Sequence, residues 1–434
     1  MSGSPPRIVV VGAGFAGTAV TVALLRRDHA AVTLVERSGS YGRGIAYATP
    51  DPQHLLNVPV GSMSALADEP GHLLEWTQRR GLGVGAGDYL PRDVYGAYLE
   101  ELLATADGGR VERVAEEAVR LDGDAVVTAA GRRLEADAVV LAAGTSPPVD
   151  FGRLAALQGH PGYIADPWDH DAVRALAAKS SVLIVGTGLT MIDVALSLSA
   201  GDDGPRLHAV STHGELPRRH RDDAPEPGEP AVQPGDFDTA DALVAHVERR
   251  ACEAADWRLV IDSLRPVTQE LWRRLPAAEK AAFVARHSRR WEVHRSRIAP
   301  SIHARVSALR AAGRLSVSAG TVAEARPDGD RLALRIGDEA MVVDAVVNAT
   351  GPAWDCRLAD NTLLRRLLAD GVAAPGPVGL GLATAGDGAL IDRDGRPSER
   401  LFTLGALRRG ELWETIAVPE LRTQAAELAA RLTR

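Results

Sequence analysis

Two stretches of this chain follow one pattern of apolar and polar positions. Arg7–Val11 is a compact run carrying Ile8, Val9, Val10 and Val11, as expected of a parallel strand buried on both faces. Glycines interrupt it over Gly12–Gly17, and Thr18–Arg27 then shows the period of an apolar-faced helix. Val32–Val35 is a second apolar run, ending at Glu36. This is a βαβ unit. The pattern returns with Val182–Val185 as strand, Gly186–Thr190 as turn, Met191–Ser199 as helix and Leu207–Val210 as strand. Two such units about 170 residues apart predict an α/β chain with two Rossmann-like dinucleotide-binding folds.

Smaller elements lie around them. Residues 1–6 read as a loose leader. Ala125–Ala129 and Arg133–Leu134 predict a hairpin around Gly131. Ala138–Leu141 is a buried strand leaving through Ala142-Ala143-Gly144-Thr145, and Val343–Val347 is an echo leaving through Asn348-Ala349-Thr350-Gly351-Pro352. Each exit is expected to pass the chain from one fold to the other. Asp223–Asp236, rich in Pro, Gly and acids, reads as an exposed loop. Thr239–Ala312 has helical periodicity and few breakers, so a helical insertion interrupts the second fold. Gln424–Arg434 reads as a closing helix. The expected division is 1–165 for the first fold, 166–350 for the second with its insertion at about 237–312, and 351–434 returning to the first.

Composition narrows the class. The 434 residues carry 49 Lys+Arg against 57 Asp+Glu, a net charge of -8, so nothing draws the whole chain to nucleic acid or an anionic membrane. No long apolar run predicts a spanning helix. No signal-like leader is read at the N-terminus, so the expected location is cytoplasmic. Only Cys252 and Cys356 occur, far apart and in no CxxC pair, which excludes a disulfide scaffold and argues against a redox-active dithiol. No metal cluster is read from the sequence, and the oligomeric state is not legible.

Gly12-Ala13-Gly14-Phe15-Ala16-Gly17 stands between strand and helix, the context that gives the pattern meaning. Gly12 permits the turn, Gly14 lets backbone approach a diphosphate, and Gly17 lets the helix pack on the strand. The helix N-terminus offers free N–H groups to phosphate. Glu36 stands 24 residues after Gly12, where an acid grips ribose hydroxyls. The second turn, Gly186-Thr187-Gly188-Leu189-Thr190-Met191, keeps two glycines but has Met191 third. Its next strand leads into Ser211-Thr212-His213 with no acid, and Arg218 and Arg219 follow. An acid would repel a 2′-phosphate and arginines would bind one, so NADPH is expected over NADH; the alternative is a solvated pair of loop charges.

With these motifs in hand, the sequence resembles bacterial FAD/NAD(P)-binding oxidoreductases that include N-hydroxylating flavin monooxygenases. The resemblance runs over nearly the whole chain. It is most specific at Gly42-Arg43-Gly44-Ile45-Ala46-Tyr47, His54–Pro59, Gly186–Asp193 and Arg409–Thr415. It implies FAD in the first fold, a nicotinamide cofactor in the second, and a C-terminal return that completes the FAD site near Gly405 and Trp413–Ile416. Arg37, Val119, Gly144, Thr145 and Gly351 complete the expected cofactor-binding set, with Phe15, Ala16, Leu189, Thr190, Trp413, Thr415 and Ile416.

The resemblance extends to chemistry. Asn57-Val58-Pro59, with Met63 and Asp68-Glu69-Pro70 following, is similar to the segment where an Asn stands beside the flavin ring, so Asn57 is the candidate catalytic residue. The turn-like Asn-x-Pro pattern is its plainer reading. Pro161-Gly162-Tyr163 and Asp166-Pro167-Trp168 occupy the place of a monooxygenase fingerprint, but the usual His is absent and Asp166 stands near its position. Asp166 and Trp168 also read as packing at a junction, His54 as structural, and Arg43 as either a phosphate ligand or a loop charge. Trp291–Arg297 is a basic knot that either solvates a helix face or points Arg295 or Arg297 at an anion.

The expected function is NADPH-driven, FAD-dependent N-hydroxylation of a small amine or amino acid by molecular oxygen. The alternatives are a flavin reductase or dehydrogenase that does not activate oxygen, and a cofactor-binding protein without turnover.

Overall fold

The computed structural model describes residues 5–150, 152–201, 203–223 and 228–434. The first four residues of the expected leader and part of the expected 223–236 loop lie outside these. The strands, in chain order, begin with β1 (Arg7–Val11), β2 (Ala31–Val35), β3 (Glu112–Val114), β4 (Ala118–Asp122), β5 (Ala125–Thr128), β6 (Arg133–Glu135) and β7 (Ala138–Leu141). Next come β8 (Tyr163–Ile164), β9 (Ser181–Val185), β10 (Arg206–Ser211), β11 (Leu315–Ala319), β12 (Val322–Asp328), β13 (Arg331–Ile336), β14 (Glu339–Val343) and β15 (Ala345–Asn348). Two more, β16 (Ala389–Ile391) and β17 (Pro397–Thr403), follow.

They form two mainly parallel sheets, ordered β16-β17-β7-β1-β2-β3 and β11-β10-β9-β15-β8, and two small antiparallel ones, β4-β5-β6 and β12-β13-β14. The expected hairpin is β5–β6, with β4 added beside it. Strand β17 pairs in parallel with β7, Leu401 opposite Val139, so a segment from the end of the chain completes the first sheet. Tyr163–Ile164, just before the expected boundary at 166, pairs with β15 in the second sheet.

Alternation explains why these runs are apolar at every position. On β1, Ile8 and Val10 face a core shared with helix Phe15–Arg27 and helix Val418–Leu432, while Val9 and Val11 face β4–β6 and helix Thr362–Ala369. Val182 and Ile184 of β9 face helix Leu189–Leu198, and Leu183 faces β12–β14. Each sheet is thus the middle layer of three. The closing helix starts at Val418, six residues before its expected start, because Val418 and Leu421 pack on the first core. Five helices from Ala240 to Arg295 and a sixth at Pro300–Ala311 separate β10 from β11. Among the described residues, no helix is long and apolar enough to cross a membrane.

The folds are clamped together. Arg92 makes two bonds to Asp193, at 2.7 and 3.1 Å, with both side chains 12% exposed. Buried His54 donates through Nε2 to the Asp193 carbonyl (3.0 Å) and shares a hydrogen bond through Nδ1 with Thr49 Oγ1 (2.7 Å), and Asp51 accepts from Ser197 Oγ at 2.6 Å. The two strand exits also meet, Ser146 bridging Ala353.

Candidate functional site

Both glycine turns are built the same way. Gly12 has φ +101 and donates to the Val35 carbonyl at 2.8 Å; a Cβ there would fall 2.4 Å from the Ala142 oxygen. Gly186 has φ +118 and donates to the Val210 carbonyl at 2.7 Å; a Cβ there would fall 2.0 Å from the Ala349 oxygen. In each fold the strand exit presses on the first glycine, and only a hydrogen fits. Gly17 lies so close to the turn that a Cβ would stand 1.8 Å from the Gly12 oxygen. Met191, in the corresponding place of the second fold, is fully buried in its own helix core instead.

Phe15–Arg27 and Leu189–Leu198 are capped by Gly14 and Gly188, with no side-chain cap and no acid in the first turn. Helices at Ala240, Trp257 and Thr362 are capped by Thr239, Asp256 and Asn361 side chains. Other helices, Pro300–Ala311 among them, also lack a side-chain cap and a first-turn acid; these two differ in opening from glycine turns, whose free first-turn donors are placed as in anion cradles. Glu36 accepts from Ala13 N at 2.9 Å and from Ser38 N and Oγ at 3.1 and 3.0 Å, which holds its carboxylate against the first turn. Gly44, at φ +55, brings a second backbone segment to Gly14: its Cβ would stand 2.7 Å from the Gly14 Cα.

The C-terminal return reaches the same place. Gly405, at φ +74, lies beside Ala16; its amide donates to Gln424 Oε1 at 3.1 Å, and its carbonyl accepts from Thr415 Oγ1 at 3.1 Å. Ile416 and Ile45 are among the few large apolar side chains left exposed, at 49% and 45%, and each adjoins this region. Val119 is the extra residue of a bulge in β4, which frees its backbone from the ladder. Arg37, Gly144 and Thr145 are exposed near their strand ends, and Gly351, at φ +94, follows β15.

Asn57 lies where the folds meet, its carbonyl accepting from His220 Nε2 at 2.9 Å; among the described residues no hydrogen bond engages its carboxamide. Burial, with the nearby Arg297 cation, lowers the His220 pKa to about 4, so the imidazole is neutral near pH 7. His220 is carried by the loop after β10, whose Arg218 and His220 amides pair with Val293 and Ile298 carbonyls of the insertion.

The second fold holds a polar cleft of about 650 Å³ bounded by Arg218, Arg219, Arg258, Arg310 and His303. Ser211 Oγ shares a 2.7 Å hydrogen bond with Thr187, and Leu189 and Thr190 open the helix. Sequence reading missed Arg289. It comes from the insertion, 103 residues after Gly186, yet its Nη2 donates to Thr187 Oγ1 at 3.1 Å and the Glu215 carbonyl at 3.2 Å. Its Nη1 lies 3.5 Å from where a Gly188 Cβ would be. A cation thus overhangs the second turn, and no local spacing signals it.

Other expected residues point elsewhere. Arg43 forms a fork with Glu100, at 2.7 and 2.8 Å, and donates to the Asp93 carbonyl, so its guanidinium anchors the loop to helix Arg92–Asp107 rather than reaching for phosphate. Trp413, expected near the flavin, packs into an apolar cluster, its ring 5.0 Å from Trp272 and 5.1 Å from Phe283, because the insertion offers it those rings as a dry surface. Arg219 pairs with Asp222 at 2.8 Å. Arg297 pairs with Asp262, and Arg295 lies 3.5 Å from Glu414, so each has a carboxylate partner inside the chain. Asp166 caps a turn by accepting from Trp168 N.

This arrangement defines the class: the chain has the fold of flavoproteins that carry two dinucleotide-binding folds, an FAD/NAD(P)-binding oxidoreductase fold. Residues 9–146 match the family described as FAD-NAD(P)-binding. The whole chain is similar to a cadaverine monooxygenase of Erwinia amylovora solved with FAD (TM-score 0.67, 13% identity, 99% of this chain and 95% of that one). It is also similar to a Kutzneria ornithine N-hydroxylase solved with reduced FAD, NADP+ and L-ornithine (TM-score 0.61, 16% identity, 99% of each chain). A bacillithiol disulfide reductase of Bacillus cereus shares the fold more loosely (TM-score 0.52, 15% identity, 99% of each chain). Comparison with curated proteins gives no match.

Proposed function

We propose that this chain is an NADPH-driven, FAD-dependent monooxygenase that N-hydroxylates a small amine or amino acid. The observation that carries the reading is the pair of glycine turns of like geometry that open Phe15–Arg27 and Leu189–Leu198, with Asn57 bonded through its carbonyl to His220 of the other fold. Amides of Gly14, Phe15, Ala16 and Gly17 would take the FAD diphosphate, Glu36 its ribose, and Gly405, Thr415 and Ile416 the flavin end. Gly186, Gly188 and Arg289 would hold the NADPH diphosphate, with Arg218 at the 2′-phosphate, Arg219 being held by Asp222. The end of β10 carries no acid to repel that phosphate, which supports NADPH over NADH.

When bound, FAD accepts reducing equivalents from NADPH and passes them to oxygen. In balance, amine, O2, NADPH and one proton give hydroxylamine, NADP+ and water. The chain's part is to hold the donor and acceptor in register, keep water from the cleft, and offer the free Asn57 carboxamide as a hydrogen-bond donor. A thiol relay gains no support: Cys252 and Cys356 are unpaired, and burial pushes the Cys356 thiol up to about 11.

The test is NADPH consumption with hydroxylamine assayed across a panel of amines. Hydroxylamine formed in step with NADPH supports the reading. NADPH oxidised without hydroxylamine favours the reductase, to which the absent fingerprint His already points. Bound FAD that NADPH cannot reduce favours a cofactor-binding protein.

A further inference from the structure

The helical insertion, with Trp413, lines a partly open cavity of about 390 Å³ that the reading above leaves unused. It lies between two apolar clusters, one built on Trp272, Phe283 and Trp413 and the other on Val247, Ile261 and Leu264, with Trp291 packed against both. This volume suits a small molecule.

Two of the indole N–H groups in the wall are already engaged. Trp272 Nε1 donates to the Gly410 carbonyl at 2.9 Å, and Trp291 Nε1 donates to Glu414 Oε1 at 2.8 Å. Both indoles therefore present carbon to the cavity. Glu248 and Arg290 pair at 3.0 Å at its rim, 38% and 60% exposed, and His287 is bonded to Asp241 at 2.6 Å. His294 Nδ1 is bonded to the Arg290 carbonyl at 2.8 Å. Among the lining residues Glu248 is the one carboxylate, and it already has its cation. An ammonium or carboxylate entering this space would lose water and find no free counter-charge, whereas a ring would find indole and phenyl faces.

The cavity also adjoins the flavin-facing segment. Trp413 forms part of its wall; two residues on, Thr415 bonds the Gly405 carbonyl beside Ala16. We propose that this cavity binds an apolar, ring-bearing amine in its neutral form, in preference to a zwitterionic amino acid. The assignment of the bound amine as substrate rests on the N-hydroxylation reading; the binding itself does not.

The experiment titrates the FAD-loaded full chain with 1-naphthylamine and, separately, L-ornithine, following tryptophan fluorescence and calorimetric heat. Ala251→Phe and Val247→Phe place a ring in the cavity from two positions on one helix, and FAD content with the melting curve identifies whichever variant folds. Binding of naphthylamine at one per chain, roughly tenfold or more tighter than ornithine and weakened roughly tenfold in a folded variant, is expected. Ornithine binding as tightly as naphthylamine, or naphthylamine binding equally well to wild type and folded variants, overturns the proposal. Cavity binding without hydroxylamine formation keeps this site and removes the N-hydroxylation reading. Ornithine hydroxylation in a filled variant, with naphthylamine still bound as tightly as in wild type, removes this site and keeps that reading.

Discussion

Arg289 gives the sharpest test of the second fold. Its guanidinium overhangs the Gly186–Gly188 turn, and among the described residues its hydrogen bonds go to Thr187 Oγ1 and the Glu215 carbonyl, at 3.1 and 3.2 Å. No carboxylate neutralises it among the ion pairs of the described residues, so a bound diphosphate would be its counter-charge. A hydrogen bond to a charged group contributes about 1.5–3 kcal/mol, and about 1.4 kcal/mol is tenfold in affinity. Arg289→Ala should therefore raise the Kd for NADPH about 30-fold. Arg289→Lys, which keeps the charge and loses the planar fork, should recover part of this. The assay is anaerobic flavin reduction followed against NADPH concentration. The limiting rate should hold, because Arg289 binds both ends of the reaction alike, and the visible FAD spectrum should not change. A Kd within about twofold of wild type would refute the reasoning, since a cation over an occupied diphosphate cradle contributes more than that.

Three further outcomes are expected. Asp193→Ala leaves Arg92 partly buried without its partner, a loss of about 3–5 kcal/mol, and should lower the melting temperature by about 3–5 °C. The pair Arg92→Met with Asp193→Leu should recover most of it, and failure to do so would mean the site demands charge for register. His220, whose pKa falls from 6.5 to about 4 on folding, takes up a proton on unfolding between those values, so its contribution is lost as pH falls from 6.5 toward 4. The loss is at most about 3 kcal/mol, and melts at pH 7 and 5 should show a smaller drop for His220→Gln than for wild type. Gly17→Ala should destabilise the first fold and release FAD together, because its Cβ would strike the Gly12 oxygen; a stable, FAD-replete variant would contradict the packing.

Where the chemistry is local, the chain announces it. Gly12, Gly17 and Gly186 were readable because each serves a turn or a helix contact within its own βαβ unit, and Glu36 because it ends the adjacent strand. The two strand exits were readable as echoes, although nothing in them foretold that Ser146 would bridge Ala353. What was hidden depends on long-range placement. Arg289 reaches the second turn only because the insertion folds back over it. Arg43 looked like a phosphate ligand between two glycines until Glu100, 57 residues on, came within reach. Trp413 sits in a stretch expected to face the flavin, but the dry faces of Trp272 and Phe283 draw its ring into their cluster.

Gly14 separates a cofactor role from a structural one. Its φ of −71 suits any residue, and an added Cβ would meet protein only at Gly44 Cα, 3.4 Å away. The decisive measurement is an FAD titration, by flavin fluorescence, of the wild-type chain and of Gly14→Ala. The wild type should take up one FAD per chain, and the variant should keep its melting temperature while binding roughly tenfold or more weakly, its methyl group standing where the diphosphate must approach. A wild-type chain that takes up no FAD, or a Gly14→Ala chain that binds it as tightly, would contradict the account at its root.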